Sequence, residues 1–444
     1  MSLVRRLTAT AAAAFALSMA VPPAATPARA AQLNAAPPAA VPARAVPGGA
    51  VSAAGASAVV RSRPPGTVTR PVLSAAEAAP YVAESYLRWS GPYASPVDDP
   101  WRPGPIRAGR PDFVVGGGTG SRTIQEAVNL AYLRGGTARQ AIAVLPGTYT
   151  GTVFIPAGTP PLTIYGAGAP GQVRLEFTVD ATISPAAWAA LVNADGRYAE
   201  GDPAWNMFQS CATRSSATAG LCATVVWSQA TDLQLKNLTI VNTLLDTVDR
   251  GTHQALALRT DADRTLLEGM RLIGRQDTFY ANAEDATRIA RVVVRDSYVE
   301  GDTDFVFGRA SAVFDRTQFH LVSTRKESGG IVFAPSTLPQ WPYGFLVTHS
   351  LVTADAGYRA APTGFLGRAW DQGAGTTGYV PGTSPNGQLV LRDSVIGPGF
   401  ATDAPWAPAA TTGRPFSAPI EPGRDLDDPT HNRLWEHATL TIPA

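Results

Sequence analysis

The sequence predicts an all-β chain wound into a right-handed parallel β-helix, with one N-terminal helix and long loops. Three observations carry that expectation. From about Gln140 onward the chain reads as short β-rich runs, each stopped by Gly or Pro, such as "AIAVLPGTYTG" and "LTIYGAG". Six later hexads can be laid over one another: "LKNLTI" from Leu235, "LEGMRL" from Leu267, "VRDSYV" from Val294, "FDRTQF" from Phe314, "VTHSLV" from Val347 and "LRDSVI" from Leu391. Their starts are 32, 27, 20, 33 and 44 residues apart, always enough for one circuit of a coil with loops of variable length. An antiparallel sandwich would also give many short strands, but it has no need for its strands to resemble each other.

Taken in order, the chain begins with Arg5 and Arg6, an Ala-rich apolar run from about Leu7 to Val21, and "ATPARA". This pattern predicts an export signal over 1–30, cut near Ala30, and hence a secreted, extracellular protein. The run is shorter than the roughly 20 residues that span a bilayer, so no transmembrane segment is expected in the mature chain. Residues 31–78 are rich in Ala, Pro, Val and Gly with few large side chains, and are read as a flexible linker. Residues 79–444 are read as one folded domain. Within it "TIQEAVNLAYLRGG", Thr123 to Gly136, has apolar residues at helical spacing and ends in glycines, the clearest helix of the chain. Each hexad has apolar ends five residues apart around a polar middle. In a regular strand that odd offset puts the ends on opposite faces, so either both faces are covered or the strand bends.

Of 444 residues, 45% are hydrophobic and 16% charged, with a formal net charge of +1, which suits a globular core. The basic residues are nearly all Arg, scattered without the stripe that nucleic-acid binding needs; the only lysines are Lys236 and Lys326. The two cysteines, Cys211 and Cys222, are read as one disulfide closing a surface loop, with two unpaired buried thiols as the alternative. No histidine is spaced to complete a metal site with them, and neither metal nor cofactor is expected.

The chemistry is sought in two acids set against apolar runs. Asp277 of "GRQDTFY" lies ten residues after Leu267, and Asp304 of "GDTDFVF" lies ten residues after Val294. If the hexads stack as successive rungs, about 4.8 Å apart, the two carboxylates become neighbours. Two carboxylates that close cannot both ionise comfortably, so one is expected to keep its proton near neutral pH. Taken alone, Asp302 and Asp304 in "GDTD" read as turn residues. The matched pair, with Gln276 beside one member, favours catalysis.

In the order "HQALALR", "GRQDTFY", "DFVFG" and "FLGRAW", these segments resemble the carbohydrate pectinesterases, or pectin methylesterases, in their bacterial long-loop branch, from about Phe113 to Trp435. The resemblance implies a single-stranded, pectin-lyase-like solenoid whose catalytic domain spans 79–444. It implies metal-free hydrolysis of galacturonate methyl esters in pectin or oligogalacturonides by a monomer. Asp304 matches the family's nucleophile and Asp277 its general acid and base. Gln254 and Gln276 match the oxyanion amides, and Arg368 the guanidinium that holds the nucleophile. Gln254 and Arg368 also line the substrate site with Trp370 and Phe307, which match sugar-stacking aromatics. His253 is read as structural, and "RPF" from Arg414 with "NRLW" from Asn432 as a C-terminal cover.

The sequence departs from the family pattern at Gly151, where Glu is usual, at Ala369 in "LGRAW", at Phe279 in "QDTF", and in the charged Arg275 beside Gln276. With the loop "FAPSTLPQWPYG", expected to reshape the cleft, these leave substrate preference open between polymer, oligomers and another ester or thioester. Lyase, galacturonase and Ser-His-Asp esterase readings lack their motifs here. The non-enzyme alternative is a glycan-binding β-helix.

Overall fold

Each predicted hexad turns a corner at its third residue. Asn237, Asp296, Arg316, His349 and Asp393 all have φ between 48° and 55° there, and Gly269 takes 64°. A single left-handed residue bends the chain, so both apolar ends of the hexad, such as Leu235 with Ile240 or Phe314 with Phe319, point into one core. Of the two expectations for the odd offset, the bend is what occurs. Leu235, Leu267, Val294, Phe314, Val347 and Leu391 then stack in parallel register. A seventh rung begins at Glu436, opposite Leu391, and its polar first residue hides it from the hexad pattern. The ladder continues round the corners: Asn237 N donates to Glu268 O at 3.0 Å and Asp393 N to His437 O at 3.0 Å.

A computed structural model of the chain describes residues 59–118 and 120–443; the predicted export signal, its cut near Ala30 and linker residues 31–58 lie outside the described residues. The fold is the expected right-handed parallel β-helix, built from three long sheets. Sheet 1 has seven strands, from Val153–Ile155 to Phe365–Gly367; sheet 2 has ten, from Phe113–Val115 to Arg433–His437; sheet 3 has ten and includes Thr239–Asn242, Arg271–Ile273 and Tyr298–Gly301. Each circuit runs from sheet 2 round the sharp corner to sheet 3, then through a loop of variable length into sheet 1. The helix forms at Ile124–Arg134, where the Thr123 hydroxyl caps the Glu126 amide at 3.0 Å and Gly135, at φ 63°, stops it. Its buried face, Ile124, Ala127, Val128 and Ala131, closes the first end of the core.

The predicted linker boundary needs correction. Residues 59–78 are ordered on the far end of the coil: Val60–Arg61 pairs antiparallel with Leu440–Thr441, Leu73 is fully buried, and Ala75–Ala78 is a short helix. Arg70 forks onto the buried Glu436 at 2.7 and 3.0 Å, and Glu77 pairs with Arg424 at 2.8 Å. Small residues here cover a surface made by other rungs rather than a core of their own, so local composition misleads. From this end the chain runs back along the outside of sheet 2 as a strap. Tyr86 reaches Gln388, Arg291 reaches Leu87 O, Ile106 N donates to Glu268 at 3.1 Å, and Tyr165 reaches Gly109 O.

The cysteines form the expected disulfide, with Cα atoms 5.9 Å apart. It closes the exposed stretch 213–218, while both sulfurs sit in a side core with Phe154, Trp188, Tyr198, Phe208 and Trp227.

Candidate active site

Two short turns that lead from sheet 3 into sheet 1 carry the acids. Gln254, Gln276 and Thr303 bridge in parallel on successive rungs, and Asp277 N donates to Thr303 O at 3.0 Å, so Asp277 and Asp304 occupy matching positions. Both take a left-handed backbone, φ 65° and 47°. Asp tolerates that conformation better than most residues, at a cost of order 1 kcal/mol, as Asp296 and Asp393 also do at the corners.

The environment separates the two carboxyls. Asp304 receives both arms of Arg368, Nε at 2.9 Å and a terminal nitrogen at 2.5 Å. Burial works against the Arg368 charge, yet the Asp304 carboxylate prevails and raises its pKa. Asp277 is 4% exposed and pairs with no cation among the described residues; Gln254 Nε2 donates to its Oδ2 at 2.9 Å. Burial first, and the Asp304 charge second, push the Asp277 carboxyl well above the usual carboxylate range. One member is thus ion-paired and the other is driven towards its protonated form.

Gln276 accepts the His253 amide on Oε1 at 2.9 Å, which turns its amide nitrogen away from that bond. His253 itself is clamped between Asp180 at 2.7 Å and Asp249 at 3.1 Å. Asp302, read as a turn residue, is in addition a fully buried acid held by Arg325 through two 2.8 Å bonds. Arg325 also donates to Gly251 O at 2.8 Å, which ties together the turns that carry Gln254 and Asp304.

Beyond the acids, the outward face of sheet 1 is an aromatic platform. Phe307 stacks flat on Tyr280 at 4.3 Å, and Trp370 tilts over both at 5.7 and 6.2 Å. Trp370 is half-buried and Phe307 is 3% exposed, so Trp370 offers the more accessible ring. Tyr280 was not anticipated, though it follows Asp277 by the same three residues that separate Phe307 from Asp304. Trp370 is itself held from outside: Asp371 accepts Thr412 Oγ1 at 2.6 Å and Arg414 at 3.2 and 3.0 Å, and Trp370 bridges Ala410.

The departures from the family pattern also find places. Arg275 points away from the acids and is held by Asp246 at 2.6 and 2.9 Å and Glu300 at 2.9 Å. Gly151 has φ 123°, and the Arg197 guanidinium lies where a Cβ would go, 1.8 Å from it. The segment before Phe345 divides: Ala334 packs with Phe307 and Trp370 and Ser336 Oγ donates to Gln372 Oε1 at 2.8 Å, whereas further on Arg433 donates to Thr337 O, Leu338 O and Trp341 O, and Tyr343 packs on Tyr86 of the strap at 4.8 Å.

The family model described as Pectinesterase matches residues 205–377. Pectinesterase B of Dickeya dadantii is 52% identical over 394 residues, covering 85% of this chain and 91% of its own. Among solved structures, rice weevil pectin methyl esterase superposes with a TM-score of 0.78 at 38% identity, covering 85% of this chain and 99% of its own. Escherichia coli YbhC superposes equally, with a TM-score of 0.78 at 40% identity, covering 86% and 98%. With that coverage and identity, the chain belongs to the pectinesterase family and is a carboxylic ester hydrolase.

Proposed function

We propose that the protein removes methyl groups from methyl-esterified galacturonan, giving pectate and methanol, with Asp304 as nucleophile and Asp277 as general acid and base. The observation that carries this reading is the unequal pair on adjacent rungs: Asp304 forked by Arg368, Asp277 buried beside it without a cation.

The ion-paired Asp304 carboxylate attacks the ester carbonyl carbon, and the carbonyl oxygen takes up the negative charge. The amide N–H groups of Gln276 and Gln254 suit that charge, since amides stabilise an anion without protonating it; one such donor is worth roughly 3 kcal/mol. The C–O bond to methyl oxygen breaks, Asp277 gives that oxygen its proton, and methanol leaves an acyl group on Asp304. Acylation removes the Asp304 charge, which after burial is the largest cause that holds the Asp277 proton, so Asp277 ionises more easily at the step that requires it. Asp277 then takes a proton from water as its oxygen bonds to the acyl carbon. Asp304 departs as carboxylate, and the product acid is free. Such proton transfers contribute about 10²- to 10⁴-fold in rate.

Trp370, with Phe307 and Tyr280 beneath it, offers a stacking surface for sugar rings. The export pattern of residues 1–30 supports an extracellular place of work, and residues 31–58 a linker to the folded part. Methanol release from methyl-esterified pectin and methylated oligogalacturonides, with wild type and Asp304→Ala, tests the reading. Activity without added metal, unchanged by chelator and lost in the variant, is expected; full activity in Asp304→Ala would sink it. Hydrolysis of an acyl thioester with neither pectic substrate turned over would replace the substrate.

A further inference from the structure

Four of the charges at the nucleophile's end of the cleft cancel in pairs. Arg368 neutralises Asp304, and Arg325 neutralises the fully buried Asp302. Asp277 is held towards its neutral form by burial and by Asp304. One charge is left over. Lys326, half-buried on the loop that enters the strand Ile331–Pro335, makes no ion pair or side-chain hydrogen bond among the described residues, whereas the only other lysine, Lys236, is tied to Glu268 at 2.7 Å. The next acid along, Glu327, is committed to Arg250. Lys326 follows Arg325, which is forked onto Asp302 two residues before Asp304, and its loop leads into the strand whose Phe333 lies opposite Val306, so the loop sits at the nucleophile's end of the cleft.

Its backbone is fixed on both sides. Arg325 is forked onto Asp302, Tyr358 Oη donates to Lys326 O at 2.6 Å and accepts Gly330 N at 2.9 Å, and Ile331 N donates to Asp302 O at 3.0 Å. Burial lowers the Lys326 pKa, the mark of an ammonium that has given up water without gaining a counter-ion. A half-desolvated cation on a pinned loop is poised for an anion that arrives from outside. Hydrolysis supplies one. When Asp304 is released, a second carboxylate lies beside it on the product, and Arg368 already serves the first.

We propose that Lys326 binds the carboxylate of the galacturonate product and offsets its repulsion by Asp304. This rests on the galacturonan reading of the same site. The test is calorimetric binding of trigalacturonate to wild type, Lys326→Gln and Lys326→Arg, with inhibition of methanol release by trigalacturonate measured in parallel. Loss of one charge-assisted hydrogen bond predicts about tenfold weaker binding and inhibition for Lys326→Gln, with Lys326→Arg near wild type. Raised salt should narrow the difference. Equal affinity in wild type and Lys326→Gln overturns the assignment while leaving the substrate reading intact. A wild type that binds no trigalacturonate removes the substrate reading with it. If Lys326→Gln binds trigalacturonate normally but turns over a fully methylated trimer tenfold more slowly, the ammonium serves the reacting oxygen instead, and the product assignment falls.

Discussion

The outward faces of sheets 1 and 2 are made by the same coil and treated in opposite ways. On sheet 2, Leu266, Val293, Val313, Leu346, Val390 and Trp435 stack in register on six rungs, none more than 6% exposed. The strap lies over them with Leu73, Tyr81, Tyr86, Leu87 and Ile106. On sheet 1 the matching column is Trp227, Arg259, Tyr280, Phe307 and Ala334, with Arg368 entering beside it. Among the described residues no strap runs across it; Tyr280, Phe307 and Ala334 are covered by local neighbours such as Leu221 and Trp370, and Trp370 and Arg259 remain half-buried. A wholly apolar column gains by being covered, at about 25 cal/mol for each Å² of apolar surface removed from water. The mixed column lies on the rungs that carry Asp277 and Asp304, where the proposed function puts the substrate.

This contrast predicts that substitutions on one face change activity and those on the other change stability. The largest effect is expected from Asp304→Ala, which should lower kcat by about 10⁴-fold or more in a methanol-release assay, as loss of a nucleophile does elsewhere. A residual rate within tenfold of wild type would mean that the open face is not the site.

Asp277→Asn comes next, with a loss of about 10³-fold. It also carries a stability signature. The folded-state pKa of Asp277 lies above its unfolded value, so the protonated acid is tolerated at low pH and the fold loses stability as pH rises from the unfolded pKa towards the folded one. Asn removes that loss, so melting should rise relative to wild type, and more at pH 8 than at pH 4. In wild type, kcat/KM should fall on the alkaline side as Asp277 loses its proton. A variant that melts identically to wild type at both pH values would contradict the buried, cation-free environment.

On the covered face, Tyr86→Ala removes a fully buried ring and its bond to Gln388. Denaturant titration should show about 3–5 kcal/mol lost, with kcat unchanged under conditions where the variant is folded. A kcat loss without destabilisation would join the two faces functionally. The smallest effect is expected at the platform. Trp370→Ala should raise KM by about three- to tenfold with a lesser change in kcat, readable from initial rates on oligogalacturonide methyl esters.

How far the residues announced this arrangement varies by feature. The rungs were legible because each hexad repeats the same apolar ends, and the acid pair because its offsets from those ends are equal. The seventh rung escaped because Glu436 stands where the others have an apolar residue, and it is held there by Thr439 and by Arg70, more than three hundred positions earlier. Tyr280 was legible in the same offsets as Phe307, but an aromatic next to a core Phe reads as core until the faces are known. Lys326 and Arg325 gave no signal, since a loop cation acquires meaning only from the acids opposite it. Residues 59–78 do not read as folded from composition because they bury themselves against distant strands.

By itself, then, the sequence settled what repetition can settle: a coil, its register, and the ranks of the two aspartates along it. Folding alone decided which face the strap would close, where Arg275 and the loop before Phe345 would turn, and which cations would be spent on pairing. The physical reason is that period and offset are local properties of a chain, whereas burial and ion pairing depend on residues brought together from rungs far apart.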